Sequence, residues 1–203
     1  MGARREEWAG PGAGGTATTG RVVTIRRETP DDAAAIAATH VRAWQTGYAG
    51  IIPDETLNLL NPAAWAQRRR DLGTAAADHP FTTLVVEDGP AVAGFVTFGP
   101  YRIDQDRDRL DPAYAEILGL YVEPSRWGNG TGRALFAAAR AALAERGWTE
   151  LRLWVLEDNR RARAFYERAG MVADGERSRY EIKRSGGRSP LGLAEIRYTG
   201  RLG

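Results

Sequence analysis

Leu118-Gly119-Leu120-Tyr121-Val122-Glu123-Pro124-Ser125-Arg126-Trp127-Gly128-Asn129-Gly130-Thr131-Gly132-Arg133-Ala134-Leu135-Phe136 joins a strand to a helix through a glycine-rich bend. Residues 114–122 read as the strand, which Pro124 ends. The alanine-rich run after the bend reads as a helix closing near Gly147. Glycines let such a bend turn tightly and let a ligand approach the backbone. The first turn of the helix offers unpaired N–H groups at the positive end of the dipole, a setting that suits a pyrophosphate. Two well-known phosphate loops are disfavoured. A Walker A loop needs a lysine that is missing here, and a dinucleotide fingerprint needs G-x-G-x-x-G, whereas the glycines stand at 128, 130 and 132. Glu157 does close the next strand, where a ribose-binding acid would sit, so a nucleotide-binding oxidoreductase stays as a minor alternative.

Working outward, residues 22–25 read as a first strand. Thr29-Pro30-Asp31-Asp32 is a helix start, with a capping threonine, a proline suited to the first turn and acids at the positive helix end. Ile36, His40, Trp44 and Tyr48 recur on one face of that helix. A second helical stretch covers 54–72, interrupted at Asn61-Pro62. Residues 82–87 and 92–98 flank Asp88-Gly89-Pro90 as a hairpin, and the polar 100–113 reads as a loop. After the central block come a strand at 151–156 and a helix at 159–169 closed by Gly170. Weak strands follow near 172–174 or 180–183, and at 191–198. The order implies an α+β fold: a twisted, mixed, mostly antiparallel sheet of about six to seven strands flanked by about four helices. Residues 1–20 read as a disordered tail and 21–203 as one domain.

Composition narrows the chemistry. The 203 residues contain no cysteine, which excludes a disulfide scaffold, a thiolate metal site and a cysteine nucleophile. With two histidines, His40 and His79, a Ser-His-Asp set or a multi-histidine metal centre is disfavoured, and no metal is expected. A net charge of +2 is too balanced for a nucleic-acid binder working by charge alone. No apolar run is long enough to span a membrane, and no secretory signal precedes the domain, so a cytoplasmic protein is expected.

The quoted block resembles the pyrophosphate segment of the GNAT superfamily of acetyl-coenzyme A-dependent N-acetyltransferases. Leu153-Trp154-Val155-Leu156-Glu157-Asp158-Asn159-Arg160-Arg161-Ala162-Arg163-Ala164-Phe165-Tyr166-Glu167-Arg168-Ala169-Gly170-Met171 is similar to that family's later strand and helix. The resemblance covers about 21–199, and the two blocks in this order form a specific signal. One departure is Trp127, which stands where the family pattern has Gln or Arg; Arg126 and Arg133 could supply the charge instead.

The resemblance implies the fold, the co-substrate and a set of roles. Acetyl-coenzyme A would be held by the backbone of Leu120, Tyr121 and Val122 along its arm. Its diphosphate would lie on Trp127, Gly128, Asn129, Gly130, Thr131, Gly132 and Arg133. Asn159 would cap its helix and touch the same arm. Tyr166 would protonate the departing thiolate, since a phenol stays protonated at neutral pH. Glu116, eleven residues before Trp127, would deprotonate the amine. Strict alternation puts Glu116 and Leu118 on one sheet face and Ile117 on the other. Without a cysteine for an acyl-enzyme, the amine attacks directly. A non-catalytic acyl-coenzyme A sensor of the same fold is the alternative.

The acceptor is weakly encoded. His40, Trp44, Tyr48, Asp54, Glu55, Asp104, Asp106, Asp108 and Asp111 are candidates for an aromatic and acidic lining suited to a cationic amine, though packing and solvated ion pairs are the default reading of them. A small-molecule amine is favoured over a peptide N-terminus. Arg68-Arg69-Arg70 spreads around a helix and does not make a nucleic-acid patch. The basic segment 176–203 could assist with phosphates or form a soluble edge. A homodimer, common in the family, is possible.

Overall fold

In the computed structural model the described residues are 24–89, 91–182 and 189–203. The expected tail, the first residues of the first strand, Pro90 and Lys183 lie outside them.

Strand β1 (Thr24–Arg27) runs into a 3-10 turn (Pro30–Asp32) and then α1 (Ala33–Gly47). The turn is fixed by Asp32, whose carboxylate accepts from the Thr29 backbone N–H at 2.7 Å and from its hydroxyl at 3.0 Å. Arg26 grips the same carboxylate through both oxygens, at 2.7 and 2.8 Å. The expected second helical stretch is two pieces, α2 (Asp54–Leu57) and α3 (Pro62–Asp71). They part where Asn61 caps α3 by accepting from Ala63 N–H at 2.9 Å, and Pro62 takes the first helical position, where its missing N–H costs nothing.

Strands β2 (Thr82–Asp88), β3 (Ala91–Arg102) and β4 (Leu110–Val122) form a meander, and α4 (Thr131–Glu145) follows the glycine bend. Then come β5 (Glu150–Leu156), α5 (Arg160–Arg168), β6 (Val172–Ile182) and β7 (Leu191–Arg201). All seven strands join one sheet in the order β1-β2-β3-β4-β5-β7-β6, antiparallel except for β4 beside β5.

Alternating side chains give the sheet two apolar faces. Val85 and Phe95 meet Ile36 of α1 on one, whereas Leu84, Val86 and Val96 join Leu135 and Phe136 of α4 on the other. Leu135, Ala139 and Leu143 are fully buried at helical spacing. Truncating such a leucine to alanine costs about 2–5 kcal/mol.

Two stretches differ from the sequence reading. Part of 100–113 is strand: Tyr101 pairs with Asp111 and Arg102 with Leu110, across a tight 3-10 turn at Ile103–Gln105. Polar composition hid this, because the outer part of the hairpin does not bury an alternating apolar face. The two weak strands near 172–183 are a single strand, β6, with a register shift between Ala173 and Arg177. As an edge strand exposed for most of its length, it carries no clear pattern. Near its end Tyr180 and Ile182, with Leu191 and Leu193 of β7, pack on Trp44, Ile52 and Leu57. The C-terminal hairpin is therefore a wall on the α1 side.

Candidate active site

Strands β4 and β5 are paired only at Ala115–Leu151 and Glu116–Arg152. Beyond those pairs they part, and among the described residues the β4 edge over residues 117–122 faces no strand on that side. A row of backbone amides is thereby offered to any extended ligand, much as an edge strand offers itself to another chain. Leu120, Tyr121 and Val122 lie on this stretch.

A β-bulge accompanies the opening. Thr97 pairs with Gly119 and Phe98 with Ile117, so Leu118 is the extra residue. The expectation that Leu118 shares the face of Glu116 by strict alternation does not hold at a bulge. Past it, Leu120 and Val122 pack with the α4 core, while the Tyr121 ring turns to the α1 side, 4.2 Å from His40 and 5.4 Å from Phe95. That position needs Gly119, because a Cβ there would stand 2.7 Å from the Tyr121 ring.

The glycine bend follows. Gly128 and Gly130 have φ of 82° and 91°, left-handed values that side chains rarely adopt. Gly130 is the N-cap of α4 and contributes no side-chain cap. Asn129 Oδ1 instead accepts from the Thr131 hydroxyl at 2.7 Å. Later N–H groups of the first turn thus keep their capacity for an anion. Arg133 and Arg161 line the cavity here with no ion pair among the described residues, while Arg126 is tied to Asp88 at 2.6 Å. Trp127 is held by its indole N–H, which donates to the Val122 carbonyl at 2.8 Å, and the Arg161 guanidinium stacks 3.3 Å from its ring centroid. The departure at Trp127 thus becomes a platform for an arginine. Sequence reading missed Arg161, although it directly follows Asn159-Arg160 in the second block.

Asn159 caps α5, its Oδ1 accepting from Ala162 N–H at 3.0 Å, and it lines the cavity as well. Two turns on, Tyr166 packs against Phe136 and Phe165, with ring centroids 5.7 and 5.1 Å away. Burial, with the nearby Tyr121 phenol, pushes its pKa above the ordinary tyrosine value. At neutral pH it is a proton donor.

Glu116 is 1% exposed, and both its oxygens are engaged by Arg102. The Arg102 backbone N–H donates at 2.9 Å, Nε at 3.0 Å and Nη2 at 2.7 Å. A second carboxylate, Glu195 of β7, lines the same cavity and accepts from Gln105 Nε2 at 2.7 Å. Burial raises its pKa, and the neighbouring Glu116 adds to the shift. Sequence reading missed Glu195, Arg102 and Gln105, which β3, β4 and β7 bring together from distant positions.

These groups border a continuous cavity of about 1580 Å³, larger than the roughly 300–1,000 Å³ of a site for one small molecule. It runs from the glycine bend to the space between α1, α3 and the C-terminal hairpin. His40, Trp44 and Tyr48 line it and pack on one another: His40 is 5.5 Å from Trp44 and 4.3 Å from Trp65. Burial, helped by the charge of Arg69, lowers the His40 pKa to about 3, so the ring is neutral. The acidic candidates Asp54, Glu55, Asp104, Asp106, Asp108 and Asp111 do not line the cavity, and Asp104 is paired with Arg109. Among the described residues no cluster of His, Asp or Glu is placed to hold a metal, and no helix is long and apolar enough to cross a membrane.

An opened parallel strand pair, a glycine-bent helix start and a buried tyrosine border one cleft, and the comparisons with known proteins make the chain an acyltransferase. The acetyltransferase (GNAT) family model matches residues 44–171, and the chain belongs to that family. The Uncharacterized N-acetyltransferase YuaI of Bacillus subtilis is 30% identical over 139 residues, covering 68% of this chain and 74% of that protein. A mycothiol acetyltransferase of Beutenbergia cavernae is 31% identical, over 74% of this chain and 62% of its own length. The PaiA N-acetyltransferase of Thermoplasma acidophilum, solved in complex with coenzyme A, shares the fold with a TM-score of 0.65 at 17% identity, over 88% of this chain and 98% of that one.

Proposed function

We propose that this acyltransferase moves an acetyl group from acetyl-coenzyme A to a primary amine by direct attack. The observation that carries this reading is the unpaired β4 edge leading straight into the glycine-bent start of α4. The edge suits an amide-bearing arm, and the bend suits a diphosphate. Arg133 and Arg161 would supply charge there, and the Asn159 side-chain amide a further polar contact. PaiA, crystallised with coenzyme A, supports the co-substrate.

Three tasks fall to this chain. The β4 backbone at Leu120 polarises the acetyl carbonyl, where oxyanion charge develops. Tyr166 gives its phenolic proton to the departing thiolate, and general acid catalysis of this kind is worth about 10²–10⁴ in rate. The amine must first lose a proton, because about one alkylamine in a thousand is neutral at pH 7. Glu116 and Glu195 form the carboxylate pair that takes it. Glu116 acts through water, since Arg102 already occupies both oxygens. Glu195, whose pKa burial raises, is the second acceptor. Turnover rather than sensing is supported by an acid and two carboxylates lining one cleft.

The test is thiol release from acetyl-coenzyme A with a panel of primary amines, followed by pH–rate profiles. Glu116→Gln or Glu195→Gln should abolish the acidic limb of kcat/KM and lower the plateau at least tenfold. If both variants keep the wild-type limb, neither carboxylate is the base.

A further inference from the structure

At the α3 end of the cavity the charge is opposite to what a cationic amine would need. Four arginines line this end: Arg68 and Arg69 from α3, Arg102 at the end of β3 and Arg107 from the β3–β4 turn. Two are already satisfied. Arg69 donates to Glu28 at 2.6 and 2.8 Å and to the Thr83 hydroxyl at 2.7 Å, and Arg102 holds Glu116. Arg68 and Arg107 have no ion pair among the described residues. Arg107 lies over the Phe81 ring, 5.5 Å from its centroid. Desolvation first, then the like charges of Arg102, Arg68 and Arg69, lower its pKa, and Glu116 opposes them only in part. The aspartates that would have neutralised this end by sequence proximity do not line the cavity.

Further in, the lining changes sign. Glu116 and Glu195 stand with Tyr121 and Tyr180, and burial first, then the Tyr121 phenol, pushes the Tyr180 pKa up to about 12. The acceptor space is therefore dipolar, with guanidiniums at its mouth and carboxylates at its inner end. A planar guanidinium with parallel N–H donors matches a carboxylate or a phosphate.

Resting on the acetyltransferase reading above, we propose that the acceptor is a primary amine bearing an anionic group, carboxylate or phosphate, which Arg68 and Arg107 hold while the amine points toward Glu116 and Glu195. The chemistry is unchanged: the amine nitrogen bonds to the acetyl carbon, the carbon–sulfur bond breaks, and the proton lost by nitrogen passes to the carboxylate pair as the thiolate takes one from Tyr166.

Two experiments test this. The first compares kcat/KM for a dipeptide with its C-terminal amide, for a 3-aminopropylphosphonate with propylamine, and for a linear polyamine. The anionic member of each pair should lead at least tenfold, and the carboxylate and phosphonate arms tell which anion fits better. Arg68→Gln and Arg107→Gln should each erase at least fivefold of that lead through KM, and lysine replacements should restore part of it. Arg109→Gln, an outward arginine paired with Asp104, should not. The second titrates the same amines into protein saturated with coenzyme A by calorimetry, where the anionic ones should bind at least tenfold tighter and lose that margin in the arginine variants. Equal or better use of neutral or polycationic acceptors, or a lead that survives the double variant, overturns the anion site. If no amine is acetylated although coenzyme A binds, the transferase reading fails, and calorimetry alone decides the anion site.

Discussion

Tyr166 joins two properties that usually conflict, burial at 8% exposure and a place on a ligand cavity. Its raised pKa keeps the proton available across the whole working range. Tyr166→Phe should lower kcat at least tenfold while leaving the coenzyme A dissociation constant nearly unchanged, as read by steady-state kinetics and calorimetry. His40 belongs to the same scale. Its pKa is about 3 in the folded chain and about 6.5 when unfolded, so the unfolded state binds more protons between those values and stability falls as pH drops through that window. Denaturant melts should show His40→Phe losing about 2 kcal/mol less than the parent between pH 7 and pH 5. The place of Tyr166 on the cavity was legible because its block spells a strand, a cap and an aromatic pair in order. The partnership of Glu116 with Arg102 was not, since the two sit on neighbouring strands of a hairpin whose outer part reads as a polar loop. Glu195, on the last strand, offered no local signal at all.

Among the elements, β4 and the bend after it carry most of the consequence. Strict two-residue alternation places Ile117, Gly119 and Tyr121 together, and the bulge at Leu118 breaks that pattern. A reading by period cannot detect one extra residue, which is why the Tyr121 side chain, expected to matter only through its backbone, lines the cavity on the α1 side. The bend itself was legible from its glycines. Gly130, at φ 91°, is the sharper test. A Cβ in a left-handed conformation costs about 1–2 kcal/mol. Gly130→Ala should lower the denaturation midpoint accordingly and weaken coenzyme A binding, measured on the same preparation. The short helices were read well because Asn61-Pro62 and Asn159 are capping signals with a direct physical cause.

At the scale of the whole molecule, one cleft cuts the sheet where the parallel pair β4–β5 separates. A ligand filling that cleft ties the β1–β4 half to the β5–β7 half, so binding should register as global stabilisation. At a hundred times its dissociation constant, acetyl-coenzyme A should add about 2.7 kcal/mol, a rise in Tm of roughly 5–10 °C by scanning calorimetry. NAD at the same concentration should leave Tm unmoved, which separates this fold from a dinucleotide-binding one. The β6–β7 hairpin gives the molecule a further property. Tyr180 and Ile182 of β6 line the cavity beside Trp44, whereas the glycine bend, α4 and α5 border its other end. On the proposed function selectivity would be modular: exchange of these β6 residues should retool what the enzyme accepts and leave intact the parts proposed to hold and activate the donor.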